Sequence, residues 1–474
     1  MMKKNRSQEQ RKLMMVNEPV PKVIFKMAIP TIIAFLINSI YSLADTYFVS
    51  GLGTNATAAV SVNASLDQLI MMTGSLFAVG ANSYIARLLG QGDEKKASQV
   101  LSTAFGLAAG LSILLLLVGT AFMEQMVVLL GATPTCMEHS VDYATYVLFA
   151  APFMATSFVM NQCLRSEGSA IFSMFGIGFG GILNCVLDPF FINGLPAIGL
   201  PAMGVAGASL ATMISKIVSF IILIFPYLTR HSVLRLSVRN FRMDWKIIKE
   251  IVSVGSSSMF RAGLAVVSAI VLNDLAGNIS DSVLAGVGVA TKVMMFPFSI
   301  ILGFGTGFQP VAGYNWGAKR FDRVQESYRF SAKVAIIGGC IMAALLVVFA
   351  EAVSGIFSEN DPEMIRLGAM CIRLQALALP IHGWVAVVNM FCAGLGNAGG
   401  AVLLSTSRQG SCFLPIAYPM AMLWGATGVV SVQAVADVLS LAMAIPIVVY
   451  MTKKVKTAAQ THKNVSEPTE IACK

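Results

Sequence analysis

Ionisable side chains are scarce in this chain of 474 residues: Asp, Glu, Lys and Arg together make up 12%, about half the roughly 25% of a soluble protein. None occurs in Ala97–Met123, Val293–Ala318, Leu374–Ser407 or Gln409–Ala436. Each of these gaps exceeds the roughly 20 apolar residues that carry a helix across a bilayer. A string of soluble domains of roughly 150 residues each is thereby excluded. So is an open sheet, because lipid cannot satisfy unpaired backbone groups. There is no CxxC pair among the eight scattered cysteines, which argues against a zinc site and a disulfide framework. The four histidines, His139, His231, His382 and His462, are too dispersed for a haem or di-metal centre, and no cofactor is expected. Without a GxxxxGK[ST] sequence the chain is not by itself an ATP-driven pump. Without a convergent nucleophile or metal cluster it does not read as an enzyme. The basic start (Lys3, Lys4, Arg6, Arg11, Lys12) runs into an apolar stretch that lacks a small-residue cleavage site, so the first span is expected to be its own uncleaved signal.

What the chain has instead is apolar bulk, 56% of its residues. Reading the apolar stretches between Gly, Pro and charge punctuation predicts an all-α polytopic membrane protein of twelve spans. The first six cover about 24–50, 57–86, 98–122, 140–163, 170–193 and 204–229; the second six cover about 248–275, 283–313, 329–357, 364–394, 398–423 and 428–452. The expected organisation is a cytoplasmic N-terminal segment (1–22), a six-helix bundle (23–229), a basic connector (230–247), a second six-helix bundle (248–452) and a cytoplasmic tail (453–474). The segment before Pro19 is expected to be floppy or to lie on the membrane surface, and the tail beyond Lys456 to be disordered. With the N-terminus inside, the cytoplasmic tails and loops carry 27 of the 33 Lys and Arg, while the opposite loops carry acids such as Glu124, Glu138 and Asp281. This is the positive-inside pattern. Both termini are thus expected on the cytoplasmic side of the cell membrane, and the net charge of +9 is a topology signal rather than a nucleic-acid footprint.

The halves resemble each other. At a shift of 225, Gly80 matches Gly305 and Gly92 matches Gly317. At 227, Ala58, Val60 and Val62 match Ala285, Val287 and Val289, and at 228, Pro152, Asn161 and Gly168 match Pro380, Asn389 and Gly396. Six spans per half give both halves one orientation. Parallel repeats of this kind imply two bundles related by a pseudo-twofold axis along the membrane normal, with a cleft between them, which is a transporter architecture.

An ionisable group inside a span is a functional candidate by default, because it costs several kcal/mol unless it meets water or a partner. Asp45 in span 1 and Asp188 in span 5 fall at similar depth in the outer half. Asn184 precedes Asp188 by one helical turn on the same face, and Thr212 lies about two turns down span 6. Four oxygen-bearing side chains from three helices can meet there. Two carboxylates in a poorly solvated site resist carrying charge together, so the group suits a proton, or a sodium ion whose shell the amide and hydroxyl complete. Helix-end polarity or a structural hydrogen-bonded pair is the competing account. Pro30 removes a backbone hydrogen bond within span 1 and is either a bending point or a static kink. Asp67 in span 2 meets a cationic substrate or a local partner. Lys216, Arg261, Lys292, Arg373 and Arg408 read as structural or snorkelling, with Asp437 available to pair with one of them. His382 reads as a satisfied polar residue or a proton relay. Asp67, Asn161, Arg261 and His382 are the candidates for a substrate cavity.

Several stretches resemble one known family. They are LRSEG (Leu164–Gly168), GGILNCVLDP (Gly180–Pro189), GVAGASLAT (Gly204–Thr212), GFQPVAGYNWGAKR (Gly307–Arg320) and Ser407-Arg408-Gln409. In combination and order they look like the multidrug and toxic compound extrusion (MATE) family, DinF branch, over Pro19 to Met451. The resemblance implies a monomeric antiporter that exports amphipathic, mostly cationic compounds against inward proton or sodium flow. The branch's cation site, an Asp of span 1, an Asn and an Asp of span 5 and a Thr of span 6, falls on Asp45, Asn184, Asp188 and Thr212. Its bending proline falls on Pro30. The NorM branch uses acids of spans 7 and 10, where this chain offers only Asp274 and Glu363 near the ends. The alternative within the same superfamily is a flippase for lipid-linked precursors. A polyanionic substrate would favour basic residues in the N-terminal half, which here has Asp45, Asp67 and Asp188 against Lys216.

Overall fold

Long apolar runs that lipid surrounds must satisfy their backbone groups internally, and helices do so. The computed structural model describes residues 2–194, 201–357 and 361–471, and these contain helices and connecting turns but no strand. The helices are α1 (Met2–Asn17), α2 (Val20–Ser50), α3 (Thr54–Gly90), α4 (Glu94–Ala121), a short α5 (Met123–Leu129), α6 (Met137–Ser166), α7 (Ala170–Asn193) and α8 (Gly204–Leu228). After the basic connector come α9 (Trp245–Gly277), α10 (Asp281–Gly317), α11 (Phe321–Phe357), α12 (Pro362–Gly394), α13 (Ala398–Thr406), a π turn (Ser407–Ser411) and α14 (Leu414–Ile471). Spans 1 to 6 are α2, α3, α4, α6, α7 and α8, and spans 7 to 10 are α9 to α12. Span 11 comprises α13, the π turn and the start of α14. Gly425, with φ 54° and ψ −130°, breaks α14, and the part beyond it is span 12.

The twelve expected spans are present, several of them longer at their ends than apolarity indicates. Two expectations about the termini are corrected. Of the two expectations for the segment before Pro19 the floppy one is excluded, since it is helical and buries Met15 completely. The tail beyond Lys456 continues the helix of α14 to Ile471; only its last three residues lie outside the described ones. The run Lys453–Lys463 is rich in Lys, Ala and Gln, which are good helix formers, so the helix does not stop where the apolar stretch does.

Two compact units emerge, and they do not follow chain order. One comprises Met1–Lys12, Ile29–Ile85 and Asp93–Met259, the other Leu13–Ala28, Ala86–Gly92 and Phe260–Lys474. α2 therefore changes unit between Ala28 and Ile29, beside Pro30, while its helix runs uninterrupted through the proline. In the first unit Leu66 and Ile70 of α3, Tyr143 and Val147 of α6, Ile192 of α7 and Ala208 of α8 share a core. In the second, Val287 of α10, Ile372 of α12 and Val432 and Ala436 of α14 do so.

Because lipid is as apolar as leucine, close packing of small residues drives association between helices here. A Cβ on Gly80 would lie 1.9 Å from the Ile251 carbonyl oxygen in the first unit, and one on Gly307 would lie 2.6 Å from Ala28 Cα in the second. The internal repeat is written into such contacts. Asn161 Nδ2 donates to the Ser173 carbonyl and Asn389 Nδ2 to the Ala401 carbonyl, both at 2.9 Å, and both partners are 228 residues apart. Gly168 and Gly396 both follow a helix end with positive φ, 85° and 77°. A Cβ on Gly90 would meet the Tyr314 carbonyl oxygen at 2.1 Å, and one on Gly317 the Arg87 carbonyl oxygen at 2.0 Å. These contacts correct the matches at a shift of 225: the equivalent pairs are Gly80 with Gly307 and Gly90 with Gly317, at 227. With 41 glycines in the chain, a slip of two residues readily finds another glycine.

Candidate functional site

Glycine brings the helices of the first unit together. On α7, a Cβ on Gly176 would meet Leu223 at 2.3 Å and one on Gly180 would meet the Ser219 hydroxyl at 1.8 Å, so α8 lies close along α7. On another face of α7, Gly178 and Gly181 receive Ile37 of α2 at 3.1 Å. The chemistry sits at the far ends of these contacts. Asn184 Nδ2 of α7 donates to Asp188 Oδ1 one turn on, and to Thr212 Oγ1 of α8, both at 3.1 Å. Asp188 is fully buried, and Asn184 and Thr212 are nearly so. One turn beyond Thr212, Lys216 Nζ donates to the Tyr41 hydroxyl of α2 at 3.0 Å and lies 4.7 Å from the centre of that ring. Asp45 follows Tyr41 by one turn on the same face.

Asp45 lies within electrostatic reach of Lys216 and Asp188, and Asp67 of α3 within reach of Lys216 and Asp45. Asp45 and Asp67 thus share one ammonium, and Asp188 joins the group through Asp45. Asp45 Oδ1, Asp67 Oδ1, Asn184 Oδ1 and Asp188 Oδ2 are buried without a hydrogen-bond donor. Buried polar atoms are normally satisfied, so this group of oxygens is suited to accept a proton or a hard cation. Among the described residues no three His, Cys, Asp or Glu converge as metal ligands; a sodium ion here would depend on the amide and hydroxyl oxygens of Asn184 and Thr212.

The other candidates lie apart. Asn161 is fully buried, accepts a hydrogen bond from Arg165 and ties α6 to α7 through Ser173. In the second unit, Arg408 of the π turn donates through Nε to Asp437 Oδ1 at 2.6 Å and lies 4.3 Å from the centre of the Phe298 ring. His382 packs edge-on against Phe298 at 5.1 Å, with Nδ1 at 3.9 Å from Asp437 Oδ1. Arg261 lies within electrostatic reach of His382. This group carries two guanidiniums and an imidazole against one carboxylate, the reverse of the acid-rich first unit.

The sequence profile of the MatE family matches residues 30–190 and 258–421, well over half of the chain. The chain belongs to the MatE family. This MatE protein is 26% identical over 438 residues to the multidrug export protein MepA of Staphylococcus aureus, covering 92% of this chain and 94% of that one. It is also 26% identical over 435 residues to MepA of Staphylococcus saprophyticus, with 91% and 94% covered. Its fold is that of solved MATE structures. It superposes on a MATE crystal structure in complex with MaL6 with a TM-score of 0.88 at 23% identity, covering 94% of this chain and 99% of that chain. An outward-facing multidrug resistance MATE transporter of the MOP superfamily gives 0.87 at 23%, covering 94% and 98%. A MOP superfamily transporter from Pyrococcus furiosus, described as having reverse polarity of its binding pocket, gives 0.85 at 24%, covering 94% and 98%. MatE proteins of this kind are multi-pass membrane transporters, not enzymes.

Within this MatE protein, Asp188 and Thr212 both accept from Asn184, Asp45 joins them electrostatically and Asp67 joins Asp45, and Asn161 stands elsewhere. Of the two expectations for Lys216, structural pairing is the one met: it sits among Tyr41, Asp45 and Asp67, one turn from Thr212, and that four-residue spacing is the signal that ties it to the acidic group. Tyr41 and Tyr143, the latter within reach of all three carboxylates, had no signal, because an aromatic residue in an apolar run looks like core.

Proposed function

We propose that this MatE protein is a secondary active exporter of amphipathic, mostly cationic compounds, working by alternating access in exchange for protons or sodium. The coupling cation binds at Asp45, Asn184, Asp188 and Thr212. The observation that carries this reading is the buried Asn184–Asp188–Thr212 hydrogen-bonded group with its donorless oxygens beside Asp45. The resemblance to MepA, a multidrug export protein over nearly the whole chain, supports export of drug-like compounds. A cation neutralises the carboxylates and changes the hydrogen bonding of α2, and the resulting state binds the exported compound less well; a ligand biases two states only by its different affinity for them. Pro30 lowers the cost of bending α2 at that step. The protein works as a monomer in the cell membrane with both termini in the cytoplasm. The acid-rich group does not favour a polyanionic lipid-linked substrate.

The test uses proteoliposomes loaded with a fluorescent cationic dye. Dye movement driven by a pH gradient or by a sodium gradient supports the antiporter reading and names the ion. No movement under either gradient overturns it.

A further inference from the structure

A cavity of about 810 Å³ lies at one edge of the second unit, between the turn joining α10 to α11 and the stretch of α14 that runs from the end of span 12 at Tyr450 on to His462. Trp316 and Phe321, edge-on to each other at 5.3 Å, form one wall, and Tyr450 forms another. Lys319, Lys453 and Lys454 supply three ammonium groups, and among the described residues no Asp or Glu lines the space. Lys319 holds a left-handed backbone, φ 56°, which a non-glycine residue adopts at a cost. Tyr450 also lines a second space of about 670 Å³, which runs from there along Pro446, Met443 and Ala442 of α14, facing Gly399, Gly400 and Leu403 of α13. This second groove is apolar apart from Asn397. A side chain at Gly399 would meet nothing nearer than 3.9 Å, so the groove is open there. The nine residues from Tyr450 back to Ala442 span about 12 Å of helix, directed away from the charged end of span 12 and into its apolar part.

We propose that this pair of cavities binds one anionic phospholipid. The phosphate of its headgroup sits among Lys319, Lys453 and Lys454, and an acyl chain lies in the groove between α13 and α14. Charge complementarity selects the headgroup: three amines with no carboxylate repel a cation and attract a phosphate, and basic pockets at the edge of the membrane-spanning region are where anionic lipids are recognised. Trp316 and Tyr450 suit the same level, because amphipathic aromatics settle at the boundary between headgroups and hydrocarbon. The groove selects the tail. A soluble phosphate would use the basic cavity and leave the apolar one without a role, whereas a diacyl lipid uses both at once, and Tyr450 is the point where the two parts of such a molecule join. The proposal depends on the membrane-spanning fold and is independent of what the protein transports.

The test is native mass spectrometry of the whole protein in detergent, titrated with phosphatidylglycerol or phosphatidylcholine. The wild type is expected to retain one phosphatidylglycerol in clear preference to phosphatidylcholine. The variant K319Q/K453Q/K454Q is expected to lose that preference by about fivefold per lysine removed. Ala442→Trp, which fills the groove, is expected to weaken retention with all three lysines in place. Glycerol 1-phosphate at millimolar concentration is expected not to displace the lipid. Equal retention of the two lipids, or full retention by the triple variant, overturns the proposal. Displacement by glycerol 1-phosphate together with an unaffected Ala442→Trp variant reassigns the basic cavity to a soluble phosphate and also overturns it. The three lysines project from helix and turn surfaces, so melting curves matching wild type are expected for all variants.

Discussion

Replacing Asp188 by Asn separates a coupling role from a structural one, because the two predict opposite outcomes for transport and stability. Asp188 is fully buried, Oδ1 accepts from Asn184 at 3.1 Å, and Oδ2 has no donor. An amide keeps the shape and still accepts from Asn184. It forfeits the extra strength of a hydrogen bond to a charged group, about 1–2 kcal/mol. Against that, it removes the desolvation of a buried carboxylate, which is worth several kcal/mol. The folded protein should therefore be no less stable than wild type, to within about 1 kcal/mol. A cation, by contrast, loses a full opposing charge. At about 4 Å and an effective dielectric constant near 20 that attraction is about 4 kcal/mol, so cation binding should weaken by roughly a thousandfold. In proteoliposomes, Asp188→Asn should thus abolish gradient-driven dye movement while melting in detergent at or above the wild-type temperature. A variant that transports at the wild-type rate would refute the assignment. A variant that is several kcal/mol less stable would show that Asp188 holds the helices together instead.

Four further outcomes follow from particular contacts. Gly80→Ala forces a methyl group onto the Ile251 carbonyl oxygen, 1.9 Å away, and should cost more than about 2 kcal/mol in melting experiments, whereas Gly110→Ala, with nothing within 4 Å, should be neutral or slightly stabilising. Asn161→Ala should destabilise more than Asn389→Ala by about 1 kcal/mol, because the second bond of Asn161 is accepted from the charged, buried Arg165 whereas that of Asn389 is donated to the neutral Ser405 hydroxyl at 2.8 Å; equal losses would mean that Arg165 finds another acceptor. Arg408→Leu leaves Asp437 as a buried unpaired charge and should cost about 3–5 kcal/mol, most of it recovered in the double variant Arg408→Leu/Asp437→Leu. Glu167, in the loop between α6 and α7, accepts from Ser232 at 2.6 Å, Val233 N at 2.9 Å and Ser169 at 2.9 Å and pairs with Arg11 at 3.5 Å. Burial nonetheless pushes its carboxyl above the usual glutamate range against the pull of those donors. The stability that its proton confers is present below that range and lost as pH rises through the folded-state value, so a pH series of melting temperatures should show this fall in wild type and not in Glu167→Gln.

The spans were legible because lipid leaves a chain almost no alternative to the helix, and the absence of charge marks where the lipid is. Where the solvent changes, that signal ends. α14 runs on through Lys453 and Lys454 to Ile471, and nothing in hydropathy distinguishes a helix that leaves the bilayer from a chain that unravels. The Asn184–Asp188–Thr212 group was legible because i and i+4 positions fix a face and because a carboxylate in an apolar stretch needs a reason to be there. The contact of Lys216 with Tyr41 was not, since it depends on how closely α2 approaches α8. That approach is set by Gly176, Gly180 and Gly181, whose spacing alone does not say which neighbour they admit. Asn161 shows another limit: an amide in a span suggests a cavity, and the sequence does not reveal that this one donates to the Ser173 carbonyl and accepts from Arg165.

The π turn at Ser407–Ser411 has a bearing on the internal repeat. Ser173 and Ala401 accept equivalent bonds 228 residues apart. Further along, a Cβ on Gly207 would meet the carbonyl oxygen of Phe191 at 2.3 Å and one on Gly428 that of Met420 at 2.0 Å, and Phe191 and Met420 are 229 apart. Between Ala401 and Met420 the second half therefore holds one residue more than the first does between Ser173 and Phe191, and a π turn is the form in which a helix accommodates a single extra residue. Taken up in a π turn, the extra residue leaves the helix beyond it facing as before, where one added to a regular helix would rotate it by about 100°. Arg408 meets Asp437 from within that turn, so this ion pair is presented at a place where the two halves differ in length.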